Sequence, residues 1–554
     1  TGLKSVSTTG HTIGALAKMN TSSATYVDWV MRKAPKFFDV VTYTGDGDVN
    51  RLIPHNLGVT PGMIIIKAVS TPGNWITYHI DGTYFRYFNV VSGAGLNTTA
   101  AQTGQVAGWV GTNSSTFFPA WGSNSVYEVG VQYVAYIFAH DPSADGIIQC
   151  GSFTTDGSGL AAVNLGWEPQ YIMGKRTDLT SNWVTLDSMR GMPTSGSANA
   201  QLYLNLSNAE SSSDSYFHPT ATGFTVNGAS ASATWIYLAI RRPMKVPTSW
   251  TEVYNAIART GTGAAATVAG VGFAPDLVMP RGRIVSKPTM FIDRLRGHTQ
   301  NINTDSMSAE NTMSIGSAGT GFTMDGTTLG TYTYLNESST AYINHFFKRA
   351  KWFMDIVCYT YNGPAGETFS HSLGVVPALI IHKRRDAASD WSVYCNIGID
   401  TGKPYPYPRL NGSEDGWFTI DKFPLSPTAT TFSVNHSASG AKTFVAYLFA
   451  TLAGVSKVGS YTGNGTTQTI NCGFTTGARF ILIRRTDSTG DWYIWDTTRG
   501  IVAANDPHLS LNTTSAEVTT DDSIDPDASG FIVNQVAATN INVNLATYIF
   551  LSIA

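Results

Sequence analysis

Apolar residues along this chain fall in short runs separated by clusters of Gly, Ser, Thr, Asn and Asp, and helical spacing is almost absent. Two kinds of run recur. One is Ile-rich and follows a Gly and a Pro. In its first copy His55-Asn56-Leu57-Gly58-Val59-Thr60-Pro61 leads into Met63-Ile64-Ile65-Ile66-Lys67. In a later copy His371-Ser372-Leu373-Gly374-Val375-Val376-Pro377 leads into Leu379-Ile380-Ile381-His382-Lys383. The other kind is aromatic: Tyr133-Val134-Ala135-Tyr136-Ile137-Phe138, Trp235-Ile236-Tyr237-Leu238-Ala239-Ile240 and Phe444-Val445-Ala446-Tyr447-Leu448-Phe449. β-branched and aromatic runs between turn residues predict strands. Many such strands with frequent Gly turns predict an all-β chain of β-sandwich or jelly-roll-like units.

A turn signature sets the period. Tyr43-Thr44-Gly45-Asp46-Gly47, Phe153-Thr154-Thr155-Asp156-Gly157, Tyr359-Thr360-Tyr361-Asn362-Gly363 and Tyr461-Thr462-Gly463-Asn464-Gly465 share it, and Arg259-Thr260-Gly261-Thr262-Gly263 is a weaker copy. Asx-Gly between apolar runs is a hairpin signal, because a tight type I′ turn needs positive φ at both central residues. The final glycines lie 110, 106, 100 and 102 residues apart. That spacing predicts a tandem array of five modules of about 100 residues, a common domain size. The divisions are 35–143, 144–246, 247–350, 351–453 and 454–554. A Trp marks a third strand in four of them, at Trp75, Trp183, Trp391 and Trp492, and these side chains are expected to be mostly buried at equivalent places. Junctions such as Arg241-Arg242-Pro243 and Lys348-Arg349 are short, so the modules are expected to sit close together, with the basic residues there read as solvated linker charges.

A longer period lies above the first. Residues 20–80 match residues 336–396 without a gap, with 21 identities in 61 positions, among them Asp39/Asp355, His55/His371 and Trp75/Trp391. Modules two and five also pair, Arg176-Thr177-Asp178 matching Arg485-Thr486-Asp487. The order is therefore A-B-C-A-B. The match starts before module one, and residues 1–34 resemble the end of a C module. A sandwich cannot open at its last strands without exposing half a core. The expectation is that the polypeptide continues upstream of Thr1, or that a partner donates the missing strands, and that residues 21–31 pair as a β-strand.

Charge narrows the function. Charged residues make up 13% of the chain and the net charge is −3, which excludes binding to nucleic acid by phosphate neutralisation as the main role. No apolar stretch is long enough to insert into a membrane as a helix. Cys150, Cys358, Cys395 and Cys472 form no metal-ligand spacing and read as buried thiols, with Cys358 and Cys395 placed where they could meet across a sheet. No cofactor or metal is expected.

One charged motif recurs: Asp187-Ser188-Met189-Arg190-Gly191, Asp293-Arg294-Leu295-Arg296-Gly297 and Asp496-Thr497-Thr498-Arg499-Gly500. An Asp and an Arg three apart can pair and fix a turn. The A modules carry His79 or Cys395 in place of the Asp, which argues for a structural ion pair over a catalytic one. His55 and His371 are matched by Asn164 and Asn471 in the B modules. A general base does not exchange for an amide, so these positions read as turn-forming hydrogen bonders. The chain also lacks a nucleophile elbow and a phosphate loop. It is not expected to be an enzyme.

Taken together, Tyr-Thr-Gly-Asx-Gly, His-x-Leu-Gly-x-x-Pro with its Ile-rich strand, the Trp and the closing aromatic run resemble uncharacterised repeat domains in virion proteins of tailed phages, marine and cyanobacterial ones especially. The resemblance covers essentially the whole chain. It implies a virion structural protein, a tail fibre, spike or other appendage that is extracellular and aids host attachment. It carries no catalytic residues. Module three departs most, with Thr289 at the Trp position and Arg259 in place of the leading aromatic. Long β appendages commonly cover their edge strands by assembly. The expected partners are therefore copies of the chain, as a trimer or helical filament, other virion proteins and a host surface glycan. The alternatives are a carbohydrate-binding adhesin, with the Trp residues as stacking platforms, and a polysaccharide depolymerase.

Overall fold

The structure, a computed structural model, describes all residues except 1, 8–9, 23, 49, 82–83, 89–95, 97–111, 118–125, 195–198, 212–215, 314–320, 324–325, 330–332, 365, 398–407, 414–422 and 437–439. It is nearly all-β, and every strand pairing among the described residues is antiparallel. Module five shows the plan. Its main sheet runs, in spatial order, Ser456–Thr462, Thr547–Ile553, Phe480–Arg485, Tyr493–Asp496 and Leu509–Ser510. A second sheet runs Thr467–Asn471, Gly530–Asn534 and Ile524–Asp527. First strand pairs with last and second with penultimate, as in a jelly roll, while the third and fourth form a hairpin on the flank. The other four modules repeat this order, with two strands in the second sheet of each A module among the described residues.

The Ile-rich strands have a clear physical reason. In Phe480–Arg485, Ile481 and Ile483 face the core between the module's own sheets, whereas Phe480 and Leu482 join a core shared with other modules. Ile380 and its neighbours Leu379 and Ile381 divide in the same way. The main sheet is thus buried on both faces, and such strands read as continuous apolar runs. Modules three, four and five close around the shared core, which takes Leu277 and Phe291 from module three, Ile356 and Trp391 from module four, and Leu482 and Trp492 from module five. Modules one and two share a second core, on which Trp29 and Met31 of the leading segment also pack. At about 1.5–3 kcal/mol for each fully buried Leu, Ile or Phe, these shared cores hold the modules together. The modules follow one another in sequence, but in space they wrap around common cores.

Three local expectations are corrected. First, the Asx-Gly signature does not close a hairpin, because the strand before it and the strand after it lie in different sheets. It is a corner. Gly463 donates its N–H to Ala546 O, and a Cβ there would meet Val543 O at 2.2 Å. Gly465 has φ of 76° and donates to Asn542 O. Gly45 and Gly47 repeat this division of roles, and Gly363 is left-handed too. Module two differs: Asp156 accepts from Ser158 and Leu160 N–H, and Gly159 rather than Gly157 takes the positive φ. Second, Arg242 and Arg349 are buried, not solvated linkers. Third, residues 24–33 have no regular secondary structure. In module three the equivalent strand, Ala341–Phe347, lies between Tyr254–Thr260 and Leu277–Gly282.

Candidate functional site

The residues singled out by recurrence converge on the contacts between modules. Trp183, Trp391 and Trp492 are buried, whereas Trp75 is half-buried. The Trp391 indole N–H donates across to Asn303 O of module three at 2.9 Å, and that of Trp492 donates to Arg409 O of module four at 2.7 Å. Module three has Thr289 here. The Thr304 hydroxyl completes the circuit, lying 3.2 Å from Thr289 O and 2.5 Å from Leu511 O of module five. Four leans on three, five on four and three on five, in a closed ring.

The Asp-x-x-Arg-Gly turns lie on the same seams. Asp293 accepts from its own turn (Arg296 N–H, 2.9 Å) and pairs with the Arg296 guanidinium at 2.5 Å, both side chains fully buried. The Tyr447 hydroxyl of module four donates to the same Asp293 Oδ2 at 2.7 Å and accepts from the Arg296 guanidinium at 3.0 Å. Burial works against the Arg296 charge, but Asp293, Tyr447 and Glu310 around it hold its pKa well above the usual value. Asp496 and Arg499 repeat the pair at 2.5 Å, with His345 of module three 3.5 Å from the Asp496 carboxylate. Burial drives the His345 imidazole down to about 4, against the pull of Asp496. Asp187 and Arg190 form the third copy at 2.6 Å, and there the Trp29 indole N–H donates to Asp187 at 3.1 Å. Trp29 and His345 are related by the 316-residue offset, so equivalent places in the two groups hold different side chains that face equivalent carboxylates, Asp187 and Asp496. In the A modules His79 bonds Tyr237 O of module two at 2.8 Å, and Cys395 lies in the shared core with Leu551.

A second acid completes each turn, and its recurrence is hidden in the sequence. Glu210, Glu310 and Glu517 bind the Arg190, Arg296 and Arg499 guanidinium groups, but they stand 20, 14 and 18 residues further on. Glu310 also takes Arg385 of module four, and Glu517 takes Arg283 of module three through both oxygens. Glu310 and Glu517 therefore clasp neighbouring modules together.

A buried network ties the two groups of modules together. Arg349 forks onto Glu168 of module two and bonds Asp355, while Asp276 takes the Arg349 N–H and the Arg242 guanidinium. A polar cleft of about 750 Å³ is lined by Arg190, Glu210, Arg296, His298, Glu310 and Arg385 of modules two, three and four. His55 and His371 act as turn formers, each Nδ1 accepting an N–H two residues on, from Leu57 and Leu373. Asn164 and Asn471 do the same for Gly166 and Gly473. All four cysteines are free thiols, and among the described residues no group of His, Cys, Asp or Glu is arranged to hold a metal ion.

No curated protein matches the chain. The model of a family described as a domain of unknown function (DUF7483) matches residues 1–242 and 249–554. The second span holds modules three to five, the closed C-A-B group, and the first holds the leading segment with modules one and two. With nearly its whole length covered, the chain belongs to the DUF7483 family.

Proposed function

We infer that the chain is a structural component of a tailed-phage virion, an appendage such as a fibre or spike whose work is to hold shape and present a surface during host attachment. One observation carries this reading: the recurrent charged and aromatic residues lie in module-to-module contacts. Asp293, Arg296, Asp496, Arg499, Trp391 and Trp492 are all buried there. A site that works on a substrate needs such groups in an accessible cleft. The buried indoles of Trp183, Trp391 and Trp492 offer no face to a sugar ring, which weighs against the adhesin with Trp stacking platforms. Assembly with further copies, as a trimer or filament, is part of the proposal.

The test is immunogold electron microscopy of purified particles with antibody to this chain, paired with light scattering of the recombinant protein. Labelled appendages and a homo-oligomer are expected. Specific signal on a glycan array without particle labelling would favour the adhesin. Release of reducing ends from a host polysaccharide would favour the depolymerase.

A further inference from the structure

Modules three, four and five form a complete C-A-B group, and modules one and two repeat its A and B members. The two groups can therefore be compared contact by contact. Three sets of residues that a C module covers in the complete group are more exposed in the other.

The first set is on the A member. Tyr447 is fully buried, its hydroxyl on Asp293 of the C module, and Trp391 is fully buried on Asn303 O. Their counterparts Tyr136 and Trp75 are half-buried, stacked on one another at 6.1 Å. Phe37 and Val40 are likewise half-buried where Phe353 and Ile356 are buried.

The second set is on the B member. The Glu517 side chain is 5% exposed, closed over by Arg283 of the C module. The Glu210 side chain is 46% exposed and, among the described residues, forms an ion pair only with Arg190 of its own module. A carboxylate thus stands at the rim where an Arg from a C module belongs.

The third set is the leading segment. Trp29 and Met31 pack inward on the shared core, as His345 and Phe347 do. The alternate residues face outward: Tyr26 is 48% and Val30 is 73% exposed, whereas Tyr342 and Phe346 are fully buried inside their sandwich. Residues 24–31 thus have one face seated and the other uncovered, with no strand on either edge among the described residues.

We propose that this flank, formed by residues 24–31, Trp75, Tyr136 and Glu210, is a docking site for a C-type β-sandwich unit that lacks its own closing strand. The unit brings two strands to residues 24–31, a carboxylate to the Tyr136 hydroxyl and a guanidinium to Glu210. It is the chemistry already seated on the equivalent surface of modules four and five. Module three of a second copy does not fill the place, because its Asp293 is fully buried under Tyr447 and its Arg283 is held by Glu517 within its own group.

The test uses the full chain and the same chain extended at Thr1 by a copy of residues 249–316, which at the 316-residue offset completes a C-type module with residues 1–34. In the extended chain, amides of residues 24–31 are expected to exchange at least ~100-fold more slowly, as a strand locked between two others does. Tyr136→Phe and Glu210→Gln are expected to lower the melting temperature of the extended chain and leave that of the parent unchanged. A third form, in which the added copies of Asp293 and Arg283 are Ala, separates docking from folding: the added strands still protect residues 24–31, but Tyr136→Phe and Glu210→Gln lose their effect. Unchanged exchange at residues 24–31 in the extended chain would overturn the proposal. So would a parent chain that protects these amides as a monomer, or as a dimer, since the flank would then be covered by the chain itself or by a second copy.

Discussion

Arg296 illustrates how far one side chain reaches. It holds Asp293, the Phe291 carbonyl, Tyr447 and Glu310 at once. Removing one partner of a buried ion pair leaves an uncompensated charge, whereas replacing both with apolar groups removes the problem. Arg296→Ala is therefore expected to cost about 3–5 kcal/mol in denaturant unfolding, and the double change Asp293→Leu with Arg296→Met to cost less than this single one. His345 gives a pH-dependent counterpart. Its folded pKa is depressed to about 4 among Tyr254, Asp496 and Arg499. A histidine held neutral in the fold contributes stability above its unfolded pKa of about 6.5 and loses it as pH falls toward the folded value. The melting temperature is expected to fall between about pH 6.5 and 4, and His345→Gln to flatten that part of the profile.

Among the elements, the corner between the first and second strands separates two glycine roles that the sequence presents as one motif. At Gly463 a methyl group would collide with backbone, and backbone cannot turn aside as a side chain can. At Gly465 the obstacles are the left-handed φ and a tight approach to the Asn544 Cβ at 3.0 Å, with no backbone atom so close as at Gly463. Gly465→Ala is expected to cost about 1–2 kcal/mol and Gly463→Ala more, measured by thermal unfolding of the two variants side by side. The strands and the positions of the turns were legible because each leaves a local mark: an Ile-rich run, a closing aromatic run, an Asx-Gly. That the turn is a corner between two sheets and not a hairpin was not legible, because the partners of its flanking strands lie far along the chain. Nor were the side-chain partners. Arg349 and Glu168 are 181 residues apart, and nothing near Lys348-Arg349 distinguishes a buried fork from a solvated linker. The Glu of each clasp was missed because loops of unequal length move it from 14 to 20 residues beyond its Arg. Trp75 was expected to be buried like its counterparts. Its partial exposure follows from which module lies beside it, which its own sequence does not record.

For the whole molecule, shared cores set the unit of unfolding. Leu379, Phe480 and Leu277 lie in one apolar cluster, so none of modules three, four and five can open without baring the others. Calorimetry is expected to show these three melting as one cooperative transition, with modules one and two in a separate transition at lower temperature. Arg349→Ala, which breaks the fork onto Glu168, is expected to move the two transitions further apart.

The three seams of the closed group also carry different chemistry: a tyrosine hydroxyl on a carboxylate, an imidazole beside a carboxylate, and a leucine sharing apolar surroundings with a thiol. The modules are alike enough to mispair, yet each misplacement carries its own penalty. Leu551 set where Tyr447 belongs would leave Asp293 short of a donor. Tyr447 set where Leu551 belongs would force a hydroxyl into an apolar pocket beside Cys395. The ring therefore behaves as a keyed lock with a single admissible order, and a chain of similarly folded parts can find its arrangement without confusing one neighbour for another.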